Sequence, residues 1–246
     1  RERLGYQPRE QHPFHASFTL FKGNIETVLE LHWDIMPEDF PFHADLKGIW
    51  ERRESFSFGG AKMTTLAPED LLLFLCVHGS KHLWLRLQWL CDVAQLLKRN
   101  PFLDWAQVTE RAKIARGQRM LYLGIFLAND LLGAPLPPEI EQTVRHDLHT
   151  AELTRQVKWR LFEGPLQLFK PWKGMNFQVQ LIDRARDRFG YSPRYWLQIL
   201  TTPTSADRSS VSLPRPLSPL YYLIRPVRLA IKYGRRVASG FYRQRK

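Results

Sequence analysis

His15-Ala16-Ser17-Phe18-Thr19-Leu20-Phe21 and Ile25-Glu26-Thr27-Val28-Leu29-Glu30-Leu31-His32-Trp33, joined by Lys22-Gly23-Asn24, decide how the chain begins to fold. Gly and Asn both tolerate positive φ, which a tight turn between antiparallel strands demands, so the stretch reads as a β-hairpin. Period-two alternation in the second run separates Leu29, Leu31 and Trp33 from Val28, Glu30 and His32. The apolar face is expected to meet the core, and the Glu30/His32 face to meet water or a ligand.

Outward from this hairpin, residues 37–54 read as a loop with a short helix from Asp45 to Arg53. Ser55-Phe56-Ser57-Phe58 and Ala61-Lys62-Met63-Thr64-Thr65 flank Gly59-Gly60 and suggest a second hairpin. Beyond it the pattern turns helical. Pro68 suits the first helical position, and Glu69 and Asp70 complement the helix dipole. Helices are expected over Leu71–Trp84, Leu87–Lys98, Trp105–Leu132 with a break near Gly117, and Pro138–Phe162. An aromatic, basic segment over 165–200 is expected to be helical too, followed by a Pro/Ser/Thr-rich connector to Pro219 and an interrupted amphipathic helix from Leu220 to Tyr242. The fold class is therefore α+β: N-terminal β-hairpins followed by a mainly helical region. The expected divisions are 1–66, 67–200 and 201–246.

The composition is globular, with 44% hydrophobic residues and a formal charge of +12 in 246 residues. That charge is unevenly placed. Of the 36 Lys and Arg, ten fall between Arg208 and Lys246, where there is no Asp or Glu, leaving 26 against 24 acidic residues in 1–207. A near-neutral body argues against a main fold that grips nucleic acid, and no sequence-specific nucleic-acid binding is expected. The basic stretch 208–246 instead offers a surface for an anionic membrane or an acidic partner. Cys76 and Cys91 lie in apolar helical runs and read as buried, reduced thiols of a cytoplasmic protein, unless the helices bring them together to pair. No apolar h-region opens the sequence and no run is long enough to span a bilayer. The first residue is Arg1 rather than Met and Leu4-Gly5-Tyr6 follows at once, which reads as a fragment or a start-truncated product.

Two constellations could carry chemistry. Glu30 and His32 share a strand face and can bind a divalent metal or position a nucleophile, although by themselves they are accounted for more simply as a solvated strand face. His78 and His82, four apart in Leu75-Cys76-Val77-His78-Gly79-Ser80-Lys81-His82, share a helix face beside Lys81. His-x-x-x-His can ligate zinc, but Gly79 stands where a zincin has Glu, and no third ligand is near. The same groups suit a phosphate, or a structural role where helix meets sheet. Asp92 is a carboxylate in an otherwise apolar helix; burial would require a partner such as His78, Lys81, His82 or Arg86. No Walker or dinucleotide loop, Gly-x-Ser-x-Gly elbow or Cys-x-x-Cys is present.

Taken in order, Val28-Leu29-Glu30-Leu31-His32-Trp33, Leu66-Ala67-Pro68-Glu69-Asp70-Leu71-Leu72-Leu73, the His78 to His82 run, Leu87-Gln88-Trp89-Leu90-Cys91-Asp92-Val93-Ala94 and Asp130-Leu131-Leu132-Gly133 resemble the bacterial nucleotidyltransferase family of the polymerase-β-like superfamily. Leu220-Tyr221-Tyr222-Leu223-Ile224-Arg225-Pro226-Val227-Arg228-Leu229 is similar to that family's C-terminal end. The resemblance implies a small sheet carrying metal-bound carboxylates, and Mg²⁺-dependent transfer of a nucleotidyl group from an NTP to an acceptor it does not identify. Glu30 falls at the third carboxylate position, as catalytic residue and metal ligand. His32, His78, Lys81 and His82 are the expected contacts to phosphate or acceptor. The family's Gly-Ser step and Asp-x-Asp pair are absent from the 246 residues, so this chain is expected not to catalyse transfer by itself. The competing expectation is a non-catalytic binding or assembly module that docks an acidic partner or membrane surface.

Overall fold

A computed structural model describes residues 5–12, 15–36, 40–163, 171–203, 205–211 and 213–231. It has the expected α+β character. Strands β1 (Gln7–His12), β2 (His15–Lys22) and β3 (Ile25–His32) form an antiparallel sheet in that order, and β4 (Glu54–Phe58) pairs with β5 (Ala61–Thr65) in a separate hairpin. Between them lies α1 (Leu46–Glu51), whose N-terminus is capped by Asp45 accepting from the Gly48 amide. The helices α2 (Pro68–Lys81), α3 (Leu87–Arg99), α4 (Trp105–Ile114), α5 (Gln118–Leu132), α6 (Pro138–His146) and α7 (Leu148–Lys158) follow, with one π-helical turn over Trp159–Glu163. Then come α8 (Pro171–Leu181), α9 (Ala185–Thr201), α10 (Ser205–Ser210), a 3-10 turn over Arg215–Leu220 and a last helix over 221–231. The chain divides into two compact units, Arg1–Arg188 and Phe189–Lys246. Among the described residues no helix is long and apolar enough to cross a membrane.

Glycine placement explains both hairpin turns. Gly23 adopts φ +58°, and Gly59 and Gly60 adopt +58° and +80°. In the first turn only Gly23 uses a positive φ; Asn24 does not. The two-residue turn then fixes the register, with Lys22 opposite Ile25, Ser17 opposite Glu30 and His15 opposite His32.

Burial across this sheet corrects one expectation. Leu29, Leu31 and Trp33 do not enter the core: they are 41%, 45% and 50% exposed. The reason is strand order. β2 is flanked on both sides and buries Ala16, Ser17, Phe18 and Thr19, whereas β3 is an edge strand among the described residues and every one of its residues is exposed.

The core is helical. α2, α3 and α5 pack on one another, with α4 against α2 and α7 against α5. In α3, Leu90, Val93, Ala94 and Leu97 repeat at helical spacing and are buried. Cys91 sits off that stripe and is exposed, so only Cys76 is the buried thiol the apolar context suggested; both are free. Burial pushes the Cys76 thiol up, leaving it protonated at neutral pH. The long helix expected over 138–162 is instead two. Asp147 accepts from the amides of His149 and Thr150 and so caps a new helix where a continuous one was read.

The turn after α2 sets the position of everything near it. Leu83 and Trp84 are both left-handed, with φ 60° and 54°, a strained pairing for residues other than glycine. The turn returns the Trp84 amide to the Gly79 carbonyl at 2.8 Å and buries the indole completely. A Cβ on Gly79 would come within 2.4 Å of that ring, and one on Gly124 within 2.4 Å of the Cys76 sulfur, so both glycines are required by close approach. Arg160, in the π-helical turn, donates to the Leu83 carbonyl at 3.1 Å and lies 4.0 Å from the Phe177 ring centroid. Burial lowers its pKa to about 10.

Candidate functional site

The edge strand and the end of α2 bring all five expected site residues to one place. On β3, His32 Nε2 and Glu30 Oε2 are 3.3 Å apart. Hairpin register adds a residue the sequence reading did not single out: the His15 ring stacks on His32 at 4.9 Å with an interplanar angle of 14°. His15 was legible in principle, because a two-residue turn at Gly23-Asn24 fixes which residue faces His32.

α2 delivers the rest. Its helical spacing places His78 and His82 with ring centroids 4.6 Å apart. Phe74 stacks on His78 at 5.9 Å, and Trp89 of α3 meets His78 edge-on at 5.6 Å and His82 at 5.1 Å. The two imidazoles are thus held between aromatic rings. Lys81 Nζ approaches the Ile35 carbonyl at 3.5 Å, just beyond β3. Lys81 and His78 also sit in the last turn of α2, where positive charge is favoured by the helix dipole.

The electrostatics are those of a lone carboxylate among cationic or polarisable donors. Partial burial works against ionisation of Glu30, but the His32 hydrogen bond, with His32, His15 and His82 nearby, more than offsets it and lowers its pKa. Burial, then the nearby Lys81 and His32, lowers the pKa of His78 against the pull of Glu30 and Asp92. For His82, burial against its neighbours, then His78 and Lys81, pushes the pKa down to about 4, although part of the ring still reaches solvent. Burial lowers Lys81 as well, opposed by Glu30 and Asp34. At neutral pH His78 and His82 are therefore uncharged and Glu30 is ionised.

The imidazoles and the ammonium of this set suit an anion, while Glu30 alone offers oxygens to a hard metal ion. Mg²⁺ takes oxygen ligands, and here Glu30 offers one carboxylate surrounded by imidazoles and an ammonium. Among the described residues no group of three His, Cys, Asp or Glu is arranged to hold a metal, which also leaves the zinc reading of His78 and His82 without support.

Asp92 is corrected: it is exposed, and it bears on the cluster through the field it exerts on His78. The buried acid among these helices is Asp70, read from sequence only as a first-turn helix residue. Its side chain is 3% exposed and takes Arg52 through Nε at 2.8 Å and Nη2 at 3.0 Å. Arg111 Nη1 lies 3.1 Å from Oδ1, the oxygen that also accepts from Arg52 Nη2. Nothing local in the sequence marked this triad, because both arginines come from other elements.

Residues 2–133 match the family described as uncharacterised nucleotidyltransferase, a span that includes β1 to α5 and all five site residues. The similarity read in Leu220–Leu229 lies beyond the matched span. No curated protein and no solved structure matches the chain.

Proposed function

Because the chain belongs to the family of uncharacterised nucleotidyltransferases, we propose that the Glu30 cluster is the phosphate-facing side of a nucleotidyl-transfer site. In that reaction an acceptor oxygen attacks the α-phosphorus of an NTP, the new P–O bond forms as the bond to pyrophosphate breaks, and the acceptor loses a proton. The observation that carries the reading is the convergence of Glu30 and His32 of β3 with His78 and Lys81 of α2 and His82 at its C-terminal cap. In this reading Lys81 supplies a point charge for a phosphate oxygen, neutral His78 and His82 donate hydrogen bonds, and His32 orients Glu30.

Mg²⁺ is the cofactor expected of such a reaction, where it neutralises triphosphate charge, and Glu30 is the residue that would contact it. One carboxylate does not hold two such ions, so we propose that these 246 residues alone do not complete the transfer. Incubation with Mg²⁺ and labelled NTPs is expected to give no transfer; robust labelling of any acceptor would overturn this. ATP and pyrophosphate are nevertheless expected to bind and raise the melting temperature. Lys81→Met should reduce that shift several-fold at unchanged fold, and a shift insensitive to both Lys81→Met and His78→Gln would remove the phosphate-facing assignment.

A further inference from the structure

A cavity of about 230 Å³ lies between α1 with the loop before it, α2 and the C-terminal end of α4. Phe42, Ile49, Phe74 and Ile114 form apolar walls, and Arg52 and Arg111 on Asp70 form a polar end. Two guanidinium groups share the buried Asp70 carboxylate there. Nη1 of Arg111 is buried and within ion-pair distance of Asp70, yet among the described residues no acceptor is aligned with its N–H bonds. The other terminal nitrogen of Arg111 is taken by Gln107 in its own helix. Asp45 also borders the cavity, but its side chain is 63% exposed, sits 3.5 Å from Arg52 and caps Gly48, so water screens it.

We propose that this cavity binds a small organic acid, an aryl or short-chain carboxylate, with its carboxylate on Arg52 and Arg111 and its hydrocarbon body between Phe42, Ile49, Phe74 and Ile114. A planar carboxylate matches the fork of a guanidinium, and binding would give Arg111 Nη1 the acceptor it lacks. Size restricts the ligand, since the volume falls below the roughly 300–1,000 Å³ of drug-sized sites and excludes a nucleotide. The cavity adjoins the phosphate-facing cluster, sharing Phe74, which stacks on His78, and Ile35, whose carbonyl Lys81 approaches. It is a separate site, and the proposal stands without nucleotidyl transfer.

Benzoate titrated into the full chain, followed by calorimetry and ligand-observed NMR, tests it. Saturable binding with Kd on the order of 1 mM or tighter is expected, and benzamide should bind at least about tenfold more weakly because it lacks the charge. Ile114 is 68% exposed at the mouth, so Ile114→Trp should block entry without disturbing the core and weaken benzoate binding at least about tenfold at unchanged melting temperature. Absence of saturable benzoate binding up to about 10 mM, equal binding of benzamide, or indifference to Ile114→Trp would each overturn the proposal. Pyrophosphate binding should be unchanged in Ile114→Trp, which keeps failure here distinct from failure of the phosphate-facing cluster.

Discussion

Asp70 and Asp92 are two acids on neighbouring helices with opposite fates. Asp70→Asn would leave Arg111 partly buried without a counter-charge and Arg52 with only the exposed Asp45, and is expected to cost about 3 kcal/mol in denaturant unfolding. Asp92→Asn, at an exposed position, should change stability by less than about 0.5 kcal/mol. From sequence the two could not be ranked, because burial of a carboxylate depends on which cations the fold brings from elsewhere. Here they come from α1's C-terminal cap and from α4. At the same scale, His82 makes stability depend on pH. Its folded pKa of about 4 lies below the ordinary value of 6.5, so across that interval the unfolded chain binds more protons. Stability should therefore be fully present above pH 6.5 and fall as pH drops towards 4, reinforced by the similarly lowered His78 and, at the acid end, by Glu30, whose lowered carboxyl also takes up its proton more readily in the unfolded chain. Thermal melts of His82→Gln against the parent should show a shallower acid slope between pH 6.5 and 4; equal slopes would exclude His82 as a source.

Among the elements, α2 and the reversal after it carry the most consequence. Gly79→Ala forces a methyl group into the Trp84 ring and Gly124→Ala forces one onto Cys76, so each is expected to destabilise by about 1–3 kcal/mol or more, measured by urea midpoint. Gly60→Ala, in an open hairpin turn, should cost about 1 kcal/mol from its positive φ alone. The hairpins and the start of α2 were legible because Gly-Asn, Gly-Gly and Pro68 act locally. The same holds for the pairing of Glu30 with His32 and of His78 with His82, each set by the period of one element. What joined the two pairs was not legible, since Leu83 and Trp84 carry no left-handed signature in sequence and owe their conformation to the cavity that Gly79 and Gly124 leave for the indole. The strand faces were read with the right period and the wrong burial, because period does not say whether a strand is central or at an edge.

On the scale of the whole molecule, the uneven charge needs revision. Asp207 is one residue upstream of the acid-free stretch, is fully buried in the second unit, and binds Arg225 at 2.8 Å and Arg228 at 2.5 Å. Two of the ten C-terminal cations are therefore internal to that unit. Lys232, Arg235, Arg236, Arg243, Arg245 and Lys246 lie outside the described residues. Asp207→Asn should destabilise the second unit by about 3 kcal/mol, seen as loss of hydrogen-exchange protection over 205–231. If 208–246 does attract anionic vesicles, truncation after 231 should abolish most of that attraction, whereas Arg225→Gln should weaken it little relative to its effect on stability.

The exposed outer edge of β3 bears on how the protein behaves at high concentration. Among the described residues no strand pairs with that edge, and Ile25, Leu29, Leu31 and Trp33 line one face of it. An unpaired apolar strand is a template for aggregation unless charges interrupt it, and Glu26 and Glu30 are the only acids within β3. Glu30 is thus a solubility gatekeeper as well as a candidate site residue. Removing its charge to probe chemistry also removes a guard against self-association, so loss of function in Glu30→Gln carries meaning only alongside light scattering and the parallel variant Glu26→Gln.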